Sequence, residues 1–179
     1  MTRLLVLGML DMHPMSGYDV KQMLQLNDAE RWAGVLIGSI YHALKKLEKE
    51  GHIEITSIEH TGHRQKAIYQ ITDQGRSHLH ELVVDTLSSP AIVYPSPLYS
   101  GLSFSHKLDS KEALEALKKQ QAHLEEERRA LQHGLELKNA TMQNTIPPMT
   151  KLIFDHMFTV IEQQQIFITN AISLLESGD

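Results

Sequence analysis

The stretch VLIGSIYHALKKLEKEG, from Val35 to Gly51, constrains the fold more than any other part of the chain. Ile40, Leu44 and Leu47 recur at i, i+4 and i+7 with Tyr41 beside them, which is one buried stripe of an α-helix. The opposite face carries Ser39, His42, Lys45, Lys46 and Lys49, all donors or positive charges. Gly38-Ser39 supplies a turn and an N-cap, and Gly51 a C-terminal stop. A helix with an apolar back and a basic, donor-rich front suits the major groove of DNA. Charge runs more often only solvate a surface face, so the neighbouring segments decide.

Before this stretch, Arg3 to Met12 is apolar on nearly all sides, which predicts a helix inside the fold, with Gly8 admitting a close neighbour. His13-Pro14-Met15 breaks it. Ser16 starts a second helix, with Asp19 completing a shortened capping box. Val20, Met23 and Leu24 form its inner face; Tyr18, Lys21 and Gln22 point outward. Asn27 to Gly34 reads as a polar connection in which Trp32 covers the core. After Gly51 the period changes to two: Ile53 and Ile55 alternate with polar residues, Ile58 follows out of phase, and Ala67, Tyr69 and Ile71 alternate again. His60 to His63 is the turn of a β-hairpin whose tip carries His63, Arg64 and Lys66. Thr72 caps a further helix reaching Ser88, with Leu79, Leu82, Val83, Thr86 and Leu87 on one face. Three helices, a basic hairpin and a helix make residues 1–88 a winged helix-turn-helix domain.

Pro90, Pro95 and Pro97 forbid a continuous helix, while Ile92, Tyr94, Leu98, Tyr99 and Phe104 are too apolar for a free linker. Residues 89–105 therefore read as an extended, packed connector. In residues 106–179, Leu114, Leu117, Leu124, Leu131, Leu135 and Met142 share one heptad frame, interrupted by Gln121, Arg128 and Lys138. After Asn144 to Pro148, a broad apolar stripe from Met149 to Leu175 marks a last helix. Two long helices with a short break pack antiparallel, and a second copy of the chain is the natural cover for their remaining apolar surface. The expected fold class is mainly α with a small β-hairpin: an N-terminal winged helix-turn-helix plus a C-terminal long-helix dimerisation domain.

Composition narrows the function. The formal charge is −5, and residues 1–88 hold nine Lys and Arg against eleven Asp and Glu, so a nucleic-acid footprint must be a local patch. There is no cysteine. His80-Glu81 lacks the second histidine of a zinc helix, and His60 with His63 does not fill a tetrahedral site, so no metal is expected. No nucleophile elbow, Walker loop or dinucleotide fingerprint is present, and no carboxylate pair lies in an apolar stretch. An enzyme and a cofactor are not expected. The N-terminal apolar run is too short for a membrane span and lacks a cleavage site, which points to a cytoplasmic protein without membrane contact.

The pieces LLVLGMLDMHPMSGYDVKQML, GSIYHALKKLEKEGHIE and GHRQKAIYQITDQGRSHL lie between Leu4 and Leu79. With Gly17-Tyr18, Gly38-Ser39-Ile40-Tyr41, Leu44, Leu47, Gly51, Arg64, Tyr69, Ile71-Thr72 and Gly75, they resemble the PadR family of bacterial transcriptional regulators. His42 departs from that family's usual proline, and GHRQK has one basic residue fewer than its usual wing. The resemblance implies a dimeric repressor, less often an activator, that reads a palindromic operator and is relieved by a small molecule.

The predicted DNA-binding residues are Tyr18, Ser39, Tyr41, His42, Lys45, Lys46, Arg64 and Lys66. Side chains on the front of the third helix meet base edges or phosphates, the tyrosines hold phosphates, and the wing holds backbone or the minor groove. A small apolar or phenolic effector is expected between the winged helix and the C-terminal helices. Tyr94, Tyr99 and Phe104 would supply stacking faces there, and His156 or Gln164 a polar anchor. The expected partners are thus a double-stranded DNA operator, a second copy of the chain and such an effector. The alternative is a winged-helix protein-interaction scaffold that dimerises through its C-terminal helices without specific DNA binding.

Overall fold

A computed structural model describes the chain except Gly62, His63, Val93, Asn144, Gly178 and Asp179, and except the side chains of His60, Thr61 and Arg64. It divides into two compact units, 1–92 and 93–179.

The first unit begins with α1, Thr2–Met12, whose Val6, Leu7 and Leu10 are buried. A Cβ on Gly8 would meet nothing within 4 Å, so Gly8 is not the helix-approach site that its sequence position implies. A two-residue strand, β1 (Met15–Ser16), leads into α2, Gly17–Leu26. The expected connection contains a short helix, α3, Ala29–Ala33, entered through Asp28 at φ 51. Trp32 does not cover the core; it is half-exposed, and its Nε1 donates to the Asn27 carbonyl at 2.7 Å. Ala29, Val35 and Ile37 fill the core there, being smaller and set on the inner side of the same turns.

The third helix expected from the sequence is α4, Ser39–Lys49, with Ile40, Ala43, Leu44 and Leu47 buried. Full burial of a Leu or Ile side chain is worth about 1.5–3 kcal/mol, so this stripe anchors the helix. Gly51, at φ 77, ends it and turns the chain into β2, Ile53–Thr61, which pairs antiparallel with β3, Arg64–Ile71. The register slips between Ile55 and Ser57, a bulge that accounts for the shifted phase of Ile58. β1 adds to the far side of β3, giving a three-stranded sheet in the order β1-β3-β2.

Helix α5, Asp73–Ser88, is capped by the Thr72 hydroxyl, which accepts from the Gly75 amide at 3.0 Å and donates to the Gly51 carbonyl at 2.7 Å. A Cβ on Gly75 would lie 1.9 Å from the His52 carbonyl oxygen, so only glycine lets α5 begin this close to β2. Leu79 and Leu82 pack on the core, whereas Val83 and Leu87 are exposed.

The second unit corrects one expectation. The proline-containing segment is not extended throughout; it holds α6, Ser96–Ser103. Pro97 lies in the first turn, where its missing N–H is not required. Leu98 and Leu102 of this helix pack against Leu117, Leu124, Ile168 and Ile172. A 3-10 turn at Ser105–Lys107 leads to α7, Ser110–Thr141, capped by Asp109 on the Glu112 amide at 2.8 Å. The last helix, α8, spans Pro148–Ser177. Gln121 bonds Thr169 at 3.3 Å and Glu125 bonds Gln165 at 3.4 Å, so α7 and α8 run antiparallel. Beside this seam, Ile153, Val160, Phe167 and Leu174 recur every seven residues along α8 and remain 40–60% exposed. No helix among the described residues is long and apolar enough to cross a membrane.

Candidate nucleic-acid interface

The start of α2, the outer face of α4 and strand β3 together hold all the described DNA-binding candidates. At the start of α2, Ser16 and Asp19 close a full capping box: the Asp19 amide donates to Ser16 Oγ, and the Ser16 amide donates to Asp19 Oδ2, both at 3.2 Å. Ser16 also pairs with Ile68 of β3, which ties the wing to this helix start.

Lys66 on β3 reaches Asp19 at 3.0 Å. Partial burial would raise the Asp19 pKa, but the Ser16 hydroxyl, the Lys66 ammonium and the Ser16 amide outweigh it and hold the carboxyl below its ordinary range. Lys66 is therefore partly neutralised by a residue that charge counting along the sequence does not pair with it. Asp19, which the sequence identifies only as a cap, is thus also the partner of Lys66.

Tyr18 stands exposed on the first turn of α2. The ring of Tyr41, on α4, leans over Gly17: a Cβ there would be 3.0 Å from Tyr41 Cε1 and 2.9 Å from Leu44 Cδ1. Tyr41 remains half-exposed, so the glycine seats the ring while its outer part stays open. Below it, Tyr69 of β3 has its pKa raised by burial and by nearby Glu48 and Tyr41, which keeps its phenol neutral.

His42, Lys45, Lys46 and Lys49 are exposed along α4, and among the described residues the three lysines have no ion-pair partner. That leaves their charge available to phosphate. Ser39 differs: its hydroxyl donates to the Leu36 carbonyl at 2.6 Å and lies 3.1 Å from Thr2 Oγ1. It fixes the entry to α4, and Thr2 is a supporting residue with no periodic signal in the sequence. Arg64 belongs to β3, but its side chain lies outside the described residues, as does the turn residue His63.

The predicted effector residues are all in the second unit. Tyr94 and Tyr99 have ring centroids 6.3 Å apart, and Tyr99 meets Phe167 edge-on at 5.7 Å. Phe104 lies beside His106 at 6.4 Å. Gln164 is half-buried on the α7-facing side of α8, whereas His156, two turns earlier, is exposed. Tyr94 and Tyr99 are thus brought together, with Phe167 as a third ring that no sequence pattern assigns to a site.

A recognition-type helix set in a three-helix core, followed by a wing and a long helical pair, defines a winged helix-turn-helix protein. Residues 6–81 match the model of the transcriptional regulator PadR-like family. Over these residues the chain is PadR-like, and the family it matches there is one of transcriptional regulators, not of enzymes. It is 30% identical over 79 residues to the negative transcriptional regulator PadR of Bacillus subtilis (strain 168), an alignment spanning 44% of this chain and 43% of that protein. The fold is similar over 97% of this chain and 98% of the other to Bacillus subtilis PadR in complex with operator DNA (TM-score 0.77) and in complex with p-coumaric acid (TM-score 0.76), each at 22% identity. It is also similar to the Vibrio cholerae virulence activator AphA, over the full length of both chains, at 17% identity and a TM-score of 0.70.

Proposed function

We propose that this chain is a homodimeric, sequence-specific DNA-binding repressor whose operator binding is relieved by a small apolar or phenolic effector. The observation that carries the reading is the outer face of α4. There Lys45, Lys46 and Lys49 stand exposed, without an ion-pair partner among the described residues, beside His42 and the seated ring of Tyr41. Lysines there position the helix on phosphates, while His42 reaches base edges. Tyr18, Ser39, Arg64 and Lys66 complete the footprint, Ser39 and Lys66 acting through their anchoring bonds as well as by contact. Self-association is supported by the heptad-spaced stripe on α8, which a second copy would cover.

Repression and effector relief are supported by the similar proteins: one is a negative regulator, and Bacillus subtilis PadR is seen with operator DNA and with p-coumaric acid. The Tyr94 and Tyr99 rings offer a planar acid its stacking surface, with Phe104, Gln164 and His156 as further candidates on the same unit. Such a ligand releases DNA only by preferring the arrangement in which the two reading heads are wrongly spaced.

The test starts by selecting a duplex from a random pool with the full chain. K45A/K46A is then expected to weaken binding to that duplex and to lower the salt slope by about 1 for each phosphate that is no longer neutralised. Unchanged affinity and slope in this variant would refute the assignment.

A further inference from the structure

We propose that Arg3, His52 and His78 are positioning residues for operator binding: their cluster fixes the direction in which the wing leaves the recognition helix. The inference rests on the DNA-binding reading above.

Three elements meet at this cluster. Arg3 of α1 forms an ion pair with Glu50 at the end of α4, and its Nη2 also lies 3.1 Å from His78 Nε2 on α5. His78 stacks on His52, with ring centroids 4.3 Å apart and planes within 15°. His52 occupies the joint between α4 and β2, with Nε2 3.6 Å from Glu50. Its amide donates to the Leu47 carbonyl at 2.9 Å, and its carbonyl accepts from the Thr72 amide at 3.0 Å. The next residue, Ile53, is buried and opens β2. The direction of β2, and through pairing that of β3 with Lys66, is set at this joint. A sub-ångström change at the joint is carried outward along a nine-residue strand.

The side chains of Arg3, His52 and His78 are 29%, 13% and 21% exposed, so none is offered to a duplex as Lys45 is. The charged and titratable groups around His52 are Arg3 from α1, Glu50 from α4, and His78, with Glu81 3.3 Å beyond it, from α5. Burial, then His78 and Arg3, lower the His52 pKa against the opposing pull of Glu50. A base depressed in this way favours the closed joint above its ordinary value of 6.5, and that preference is lost as pH falls below 6.5. A proton on His52 sits against Arg3 and the stacked His78 ring, and the joint loosens.

The experiment uses full chains that differ from the wild-type parent only at Arg3 or His52, so the exposed His42 on the front of α4 is common to all of them. The probe is the duplex selected from a random pool by the wild-type chain, read by fluorescence anisotropy at about pH 7.5 and about pH 5.5, on either side of an ordinary histidine pKa. Trp32 emission confirms that the first unit is folded at each point. R3M is expected to bind about ten-fold more weakly than the parent at the higher pH. R3K, gentler on folding, is expected to follow it, because an ammonium does not hold Glu50 and His78 together as a planar guanidinium does. The parent is expected to lose about five-fold more affinity in acid than H52Q does. Equal affinity of R3K and parent, or an acid response shared by parent and H52Q, overturns the inference alone. A pool that enriches no duplex overturns the DNA-binding reading, and this inference with it.

Discussion

The two units bury their apolar residues to very different depths. Among the described residues, fourteen buried side chains form the core of 1–92, drawn from α1, β1, α2, α3, α4, β2, β3 and, through Ile37, the connection before α4. The core of 93–179 contains four, drawn only from α7 and α8, although those helices span 32 and 30 residues. The first unit is closed by contacts between elements far apart in sequence. The second is a helix pair with one seam filled and an apolar stripe left beside it. An isolated helix draws most of its stability from packing, so the second unit depends on what covers that stripe in a way the first does not.

The two units carry separate probes, which makes the contrast measurable. Trp32, the only tryptophan, reports on the first unit, while α7 and α8 carry about half of the far-ultraviolet helical signal. The largest expected effect is that of G75A. Its Cβ would lie 1.9 Å from a backbone carbonyl, so α5 must move, at a cost of about 4 kcal/mol or more. In urea, the Trp32 transition is expected to collapse while much of the helical signal survives. Simultaneous disappearance of both signals would show that the units fold as one.

Next is V160D, at the middle of the exposed stripe on α8. A buried, unpaired carboxylate is costly, so self-association is expected to weaken at least about ten-fold by analytical ultracentrifugation, with the Trp32 transition unmoved. A dimer that tolerates V160D would place the interface elsewhere.

The smallest effect concerns Asp19. Its pKa is depressed in the folded unit, so its contribution is present above the ordinary carboxylate value and lost as pH falls through the lowered folded value. The pair with Lys66 is about one-third exposed and is screened, so it is worth below about 1 kcal/mol. K66M is expected to lower the Trp32 melting temperature slightly at neutral pH and to flatten its decline in acid. A parallel shift at every pH would remove the carboxylate from the explanation.

What is legible in the sequence and what is hidden follow the same division by range. The stripe of α4, the Ser16–Asp19 capping box, the Thr72 cap and the bulge after Ile55 are local patterns, and each is present in the structure. β1 is only two residues long and leaves no period to read. α6 is hidden because Pro97 reads as a breaker unless it falls in a first turn. The size of Trp32 argues for the core, whereas its indole bonds a local carbonyl at the surface. The ties between α2 and β3 and between α1 and the end of α4, Lys66 to Asp19 and Arg3 to Glu50, join residues 47 apart. No periodicity carries such pairings; only the fold does.

In the proposed function, two copies of the first unit, held by the second, read DNA through α4. Hydroxyl-radical footprinting of the full chain on its selected duplex tests it most directly. Two protected half-sites are expected, their centres one helical turn apart, about 34 Å, or a multiple of that, with both protections abolished together in K45A/K46A. A single protected stretch, or a pair that persists in K45A/K46A, would contradict it.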